Sequence, residues 1–164
     1  MNDKQSNHPE DPSMSAATAV SGEVAVITER IHFDSAGDAD IINITADVRR
    51  LAAESGLRAG TVTIFVPGAT GALTTLEFEP GVVQDFQELF DRIAPPVYDN
   101  YEHNRTNVDG NGHAHVRAGL LGPSLVVPIE NGALLLGRWQ EICFVCFDNR
   151  PRERTVIVQF LGAK

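Results

Sequence analysis

The sequence predicts an α+β fold with mixed, largely antiparallel sheets and about three helices, and three observations carry that expectation. The apolar patterning reads β, α, β, β, α, loop, α, then four strands in succession, an order that favours antiparallel neighbours over a doubly wound parallel sheet. Two stretches repeat apolar residues at helical spacing. A Glu130-Asn131-Gly132 turn between two β-rich runs marks a hairpin, because both central turn positions suit residues that tolerate positive φ.

Taken in order, residues 1–22 are rich in Ser, Ala, Asn and Pro and lack aromatics, so a flexible tail is expected there, with one domain over 23–164. The tail has no basic-then-apolar order, which makes it unlike a secretory signal. Val24–Phe33 is β-rich and partly alternating, a first strand. Asp38–Ile44 leads into a helix with Thr45 as its N-cap, an apolar stripe at Val48, Leu51 and Ala52, and an end at Ser55-Gly56. Thr61–Val66 is a second strand, and Ala72–Phe78 a third after the turn at Pro67, Gly68 and Gly71. That turn could cradle an anion with the hydroxyls of Thr70 and Thr74, although glycine turns are commonly only turns. Glu77, alternating with Leu76 and Phe78, reads as the solvent face of its strand.

Pro80 suits a first helical position, and Val82, Val83, Phe86, Leu89, Phe90 and Ile93 follow at helical spacing until Pro95-Pro96 stops them. His113–Leu121 reads as a short helix closed by Gly122. Ser124–Ile129, Ala133–Leu136, Trp139–Phe147 and Thr155–Leu161 complete the strands. Cys143 and Cys146 are three apart in a strand, on opposite faces, so two buried free thiols are expected instead of a disulfide or shared metal. Arg150, Arg152 and Arg154 form the densest positive cluster, read as a solvated hairpin end.

Thirteen basic against twenty-two acidic residues give a formal charge of −9, which argues against nucleic-acid or anionic-membrane binding. No apolar run reaches a membrane span, and the cytoplasm is the expected compartment. Tyr101–Ser124 holds three of the five histidines, His103, His113 and His115, among asparagines, arginines and glycines. Imidazoles this dense are metal ligands, proton-transfer groups or the accident of a polar loop. His113 and His115, two apart, diverge by about 200° in a regular helix, so both serve one site only if His113 lies outside it.

The strings GTVTIFVPGATGALTTLEFEPG, YEHN, DGNGHAHVRAGLLGPSLVVPI, LLLGRWQEI and FDNRPRERTVIV, in that order from about Val24 to Gly162, resemble the YjbQ-like family, whose members are described as secondary thiamine-phosphate synthases. The resemblance implies a homotrimer with the histidines near a subunit boundary and a small anion-accepting site often holding a metal. On it, His103 matches the family's Tyr-x-His, while Asn111, His113 and His115 match its Asn-Ala-His-Ala-His string. Glu77, Thr70, Thr74 and Gln140 match further motif positions. Gly68 stands where many members have His, Ala69 where they have Thr, Cys146 replaces an acidic residue, and Arg138 a common Thr.

The implied enzyme would hold zinc, or magnesium with a diphosphate substrate, on His103, His113 and His115. His103, His115 and Glu77 would be catalytic, with Glu77 as orienter or general base. Thr70, Thr74, Asn111, Arg117, Ser124 and Gln140 would contact a small phosphorylated metabolite. The reaction joins hydroxymethylpyrimidine diphosphate to thiazole phosphate. A metal-dependent hydrolase of small phosphoesters and a non-catalytic metal- or anion-binding trimer are the alternatives.

Overall fold

A computed structural model of the chain describes residues 19–164, so most of the expected tail, residues 1–18, lies outside the described residues. Eight strands and four helices follow in the order β1 (Val24–Ser35), β2 (Asp40–Asn43), α1 (Thr45–Ser55), β3 (Ala59–Phe65), β4 (Gly71–Leu76), α2 (Pro80–Ile93), α3 (Glu102–Thr106), α4 (Gly112–Leu121), β5 (Ser124–Glu130), β6 (Ala133–Leu134), β7 (Glu141–Cys146) and β8 (Arg152–Ala163). A single 3-10 turn at Tyr98–Asn100 precedes α3. The α+β architecture with antiparallel pairing is as the sequence predicts.

The strands form a five-stranded sheet in the order β1-β8-β3-β5-β6 and a three-stranded sheet in the order β2-β7-β4, with every pairing antiparallel. Alternation along the strands sends Val62, Ile64, Val127, Val156, Val158 and Phe160 inward from the larger sheet. They meet Leu73, Ile142 and Phe144 of the smaller sheet and the α1 stripe of Val48, Leu51 and Ala52. The far face of the smaller sheet, with Ala72, Cys143 and Val145, packs against Phe90 of α2 and Ala114 and Ala118 of α4. The smaller sheet is thus covered on both faces, which is why β7 reads EICFVC, an apolar run instead of an alternation.

Cys143 lies in the second core and Cys146 in the first, so both are free, buried and on opposite faces. Burial, followed by the charge of Glu141, pushes the Cys143 thiol up to about 12. Because both are buried, neither thiol should react with a disulfide reagent such as DTNB until denaturant is added; stoichiometric labelling of native protein would contradict this packing.

Local signals placed most ends correctly. Gly56 caps α1 at φ 68°, and Asn131 and Gly132 take φ values of 52° and 78°, the left-handed pair a tight hairpin requires. The Glu79 carboxylate accepts from the Gly81 and Val82 N–H groups ahead of Pro80. Several readings change, among them the loop before His113, which holds α3, and the strand expected over Ala72–Phe78, which ends at Leu76 and leaves Glu77 outside it. Asp40–Asn43 is a strand instead of a lead-in to the helix, because β7 offers it an antiparallel partner from Cys146 to Cys143. Ile44 caps α1, while Thr45 turns its hydroxyl to Ile142, accepting from the N–H at 2.7 Å. Arg152 and Arg154 do not form a solvated end with Arg150: both engage the buried carboxylate of Asp148.

Candidate functional site

One buried side chain fixes the internal fold of the histidine-rich segment. Asn104 donates to the Tyr98 carbonyl at 2.9 Å and accepts from the Gly112 N–H at 2.8 Å, which fixes α3 against the start of α4. Gly112 is required there: a Cβ would lie 2.5 Å from the Tyr101 Cβ and 2.9 Å from the Asn104 Oδ1. The consequence is that His103 on α3 and His115 on α4 approach with ring centroids 4.5 Å apart. Asp109, from the connecting loop, joins them, and one donor atom from each of the three lies within 4.8 Å of the others.

The hydrogen bonds decide which nitrogens are free. His115 Nδ1 sits 3.0 Å from the Ala69 carbonyl, which only accepts, so Nδ1 carries the proton and Nε2 keeps its lone pair. His103 Nε2 lies 3.2 Å from Asp109 Oδ1 and 3.1 Å from Asn111 Oδ1, both acceptors, so in this arrangement it carries that ring's proton, while Nδ1 accepts from the Asn107 amide at 3.2 Å. His103 can ligate a cation through Nε2 only by giving up that proton to Nδ1 and turning the Asn107 amide. The Asn149 amide donates to the Asp109 carbonyl at 2.9 Å and steadies the loop that carries the carboxylate. Two imidazoles and a carboxylate, partly exposed and oriented by carbonyls and amides, are a donor set that fits a divalent cation with positions left for other ligands.

His113 does not join this group. The helix already begins at Gly112 with Asn111 as its cap, so the condition for His113 and His115 to share a site is not met. His113 turns into the interior near Tyr101, with ring centroids 6.2 Å apart. There, burial and then the nearby Arg117 charge push its imidazole below the ordinary histidine value.

The phosphate candidates disperse. Arg117 is buried, its Nε on the Ala94 carbonyl and its terminal nitrogen on Asp91, both at 2.8 Å, so it ties α4 to the end of α2. Thr70 donates to Asp148 at 3.1 Å and accepts from Arg154 at 3.0 Å. Thr74 is half-buried within β4, and Ser124 is exposed where β5 begins. Asn111 alone of this set touches the histidines. Glu77 is exposed beyond the opposite end of β4 from Gly71, about 20 Å along the strand. With Thr75, Trp139 and Gln140 it lines a separate shallow cavity of about 390 Å³.

Sequence reading gave no site role to Asp109, Asn104 or Ala69. A carboxylate two residues before Asn111 in the histidine loop was the available signal for Asp109. Nothing local pointed to the Ala69 carbonyl, 46 residues from the histidine it orients.

Beside His115 lies a second cavity of about 250 Å³, walled by Gly68, Ala69, Ala118, Gly119 and Pro123. None of the described helices is long and apolar enough to cross a membrane.

Comparison with known proteins places the chain in one group. Residues 29–163 match the family described as UPF0047 protein YjbQ-like. A UPF0047 protein of Archaeoglobus fulgidus is 44% identical over 122 residues, covering 74% of this chain and 91% of that one. The Bacillus subtilis protein YugU is 35% identical over 124 residues, 75% of this chain and 90% of its own. A crystal structure of a YbjQ-like protein from Sulfolobus solfataricus superposes with a TM-score of 0.81 at 31% identity, covering 85% of this chain and 99% of that one. A hypothetical protein from Aeropyrum pernix superposes at 0.77 with 32% identity, over 83% and 98% of the two chains. With residues 29–163 matched by the family model and relatives above 30% identity covered over nine-tenths of their own length, the chain belongs to the YjbQ-like UPF0047 family.

Proposed function

We propose that the protein is a metal-dependent enzyme acting on a small phosphorylated metabolite, with zinc, or magnesium in its place, held by His103, Asp109 and His115. The observation that carries this reading is the convergence of those three donors within 4.8 Å from two helices and the loop between them. Structural zinc is normally closed by four protein ligands, whereas three leave room for a substrate oxygen. Bound there, a divalent cation supplies Lewis-acid polarisation of a phosphoryl oxygen.

The chain's own residues orient the site. The Ala69 carbonyl keeps the proton on Nδ1 of His115, and Asn107 and Asn111 hold the His103 ring between them. Asn111, the cap residue of α4, contacts His103, so the N-terminal end of that helix lies beside the site, where its positive end favours an anionic ligand. Hydrolysis of a single phosphoester suits this layout better than thiamine-phosphate synthase-type transfer. Transfer must stabilise a departing diphosphate, and Arg117, Arg152 and Arg154 are already committed to Asp91 and Asp148. The scheme assigns no step to Glu77 or His113.

Assembly into a homotrimer is part of the proposal. Val24 and Val26 of β1, Phe65 of β3, Val126 of β5 and Leu161 of β8 share the outer face of the larger sheet, with Val24, Val26 and Val126 exposed to 68%, 63% and 57%. Thr28, Thr61, Thr63 and Gln159 lie among them, and exposed apolar side chains interleaved with uncharged polar ones suit an association surface. Sedimentation equilibrium should return three chain masses, and a monomer at micromolar concentration would remove this part of the reading.

The test of the site is elemental analysis of untagged, purified protein together with release of phosphate from p-nitrophenyl phosphate. One zinc per chain and turnover, both lost in His103→Ala, are expected. Zinc without turnover would make the protein a binding module, and wild-type protein that retains no metal would overturn the reading.

A further inference from the structure

Two glycines beside His115 have no role in the backbone. Gly68 and Gly119 are both absent from the positions with positive φ, and a Cβ built on either meets nothing within 4 Å. Gly119 lies inside α4, where glycine is the least favourable residue after proline. Neither the turn nor the packing therefore asks for glycine at these places. What the two share is a wall of the 250 Å³ cavity that opens beside His115.

The geometry points to this cavity as the organic subsite of the metal centre, kept open by Gly68 and Gly119 to take the compact apolar body of a phosphate monoester. The inference rests on the reading of His103, Asp109 and His115 as the metal ligands. Apart from His115, the cavity walls are glycine, alanine and proline, so no side chain in them carries a charge to pair with a second phosphate or a charged substituent. The volume suits a small guest. A cavity of about 150 Å³ admits benzene, so about 250 Å³ accommodates a single ring with its linking atoms. The substrate class is then an aryl or short alkyl phosphate whose phosphoryl oxygens face the histidines while its body lies over Ala118 and Pro123.

The test uses full-length, zinc-loaded protein and two non-hydrolysable probes with the same oxyanion, phenylphosphonate and methylphosphonate, in isothermal titration. Phenylphosphonate should bind at least tenfold tighter. Gly119→Leu, whose side chain would fill the cavity, should abolish that preference while leaving zinc affinity, titrated without phosphonate, within twofold. Gly119→Ala should raise the melting temperature by about 2–4 °C, the gain from replacing a helical glycine. Equal binding of the two probes by wild-type protein, or a preference that survives Gly119→Leu, would overturn the inference. A Gly119→Leu variant that alters subunit mass without touching the preference would also overturn it, because the cavity would then belong to a neighbouring copy. Failure of the zinc titration in wild-type protein would instead remove the metal reading beneath it.

Discussion

Asp148→Ala should destabilise the protein by about 3–5 kcal/mol, the usual cost of removing one partner from a buried ion pair. Asp148 is only 2% exposed and accepts from Arg152 Nε at 2.9 Å and from Thr70 at 3.1 Å, with Arg154 at 3.6 Å. Its removal strands the Arg154 guanidinium, which is nearly buried over the Phe144 ring and also reaches Cys146. The backbone carbonyl of Asp148 holds the Asp38 N–H at 2.7 Å, so the same turn anchors the entry to β2. The urea midpoint of the variant should fall accordingly, with an unchanged slope. Asp148→Asn keeps an acceptor for Thr70 and should lose less.

This effect carries a sign in pH. Burial pushes the Asp148 carboxyl up, but hydrogen bonds from Arg152 and Thr70 and the charges of Arg152 and Arg154 outweigh it and leave the carboxyl below its ordinary value. A group depressed in the folded state contributes its full stability above its unfolded pKa, about 3.9, and loses it as pH falls through the lower folded value. The difference between wild type and Asp148→Ala should therefore be complete at pH 7 and shrink toward pH 2. A difference that persists undiminished in acid would contradict the ion-pair account.

Asp109→Ala should weaken zinc binding at least about 100-fold, since loss of orienting partners alone reaches 10- to 100-fold. His113→Ala should leave zinc binding intact. Its effect should appear in stability, about 1–3 kcal/mol for a buried side chain removed from the region between Tyr101 and Arg117. Because the folded His113 is depressed below its ordinary value, burial being the main cause, wild-type stability should decline as pH falls below about 6.5. That part of the decline should vanish in His113→Ala. Zinc lost from His113→Ala and kept by Asp109→Ala would restore the three-histidine ligand set.

The contrast between His113 and Asp109 shows where sequence reading reached its limit. Residue type and density identified the segment from Tyr101 to Ser124, since imidazoles are costly to gather without use. Which donors meet is a matter of helical phase and loop path. Once α4 starts at Gly112, His113 and His115 diverge, and the loop is free to return Asp109 instead. Arg117 illustrates the same point. As an arginine near histidines it resembled an anion ligand, yet Asp91, 26 residues earlier, claims it.

Motif strings along the chain carried the family, and local pattern by itself determined the α+β class, the hairpin at Asn131-Gly132, the end of α1 at Gly56, the start of α2 at Pro80 and the opposed buried thiols. These depend on local backbone preference and on alternation, which neighbouring residues encode directly. Only the tertiary structure decided that Asp40–Asn43 is a strand, that Arg152 and Arg154 hold a buried carboxylate, and that His103, Asp109 and His115 meet. Each of those outcomes depends on partners many residues away: β7 for the strand, Thr70 for the Asp148 network and the Ala69 carbonyl for His115. Local pattern cannot specify such partners, because they exist only once the two sheets and the helices have packed.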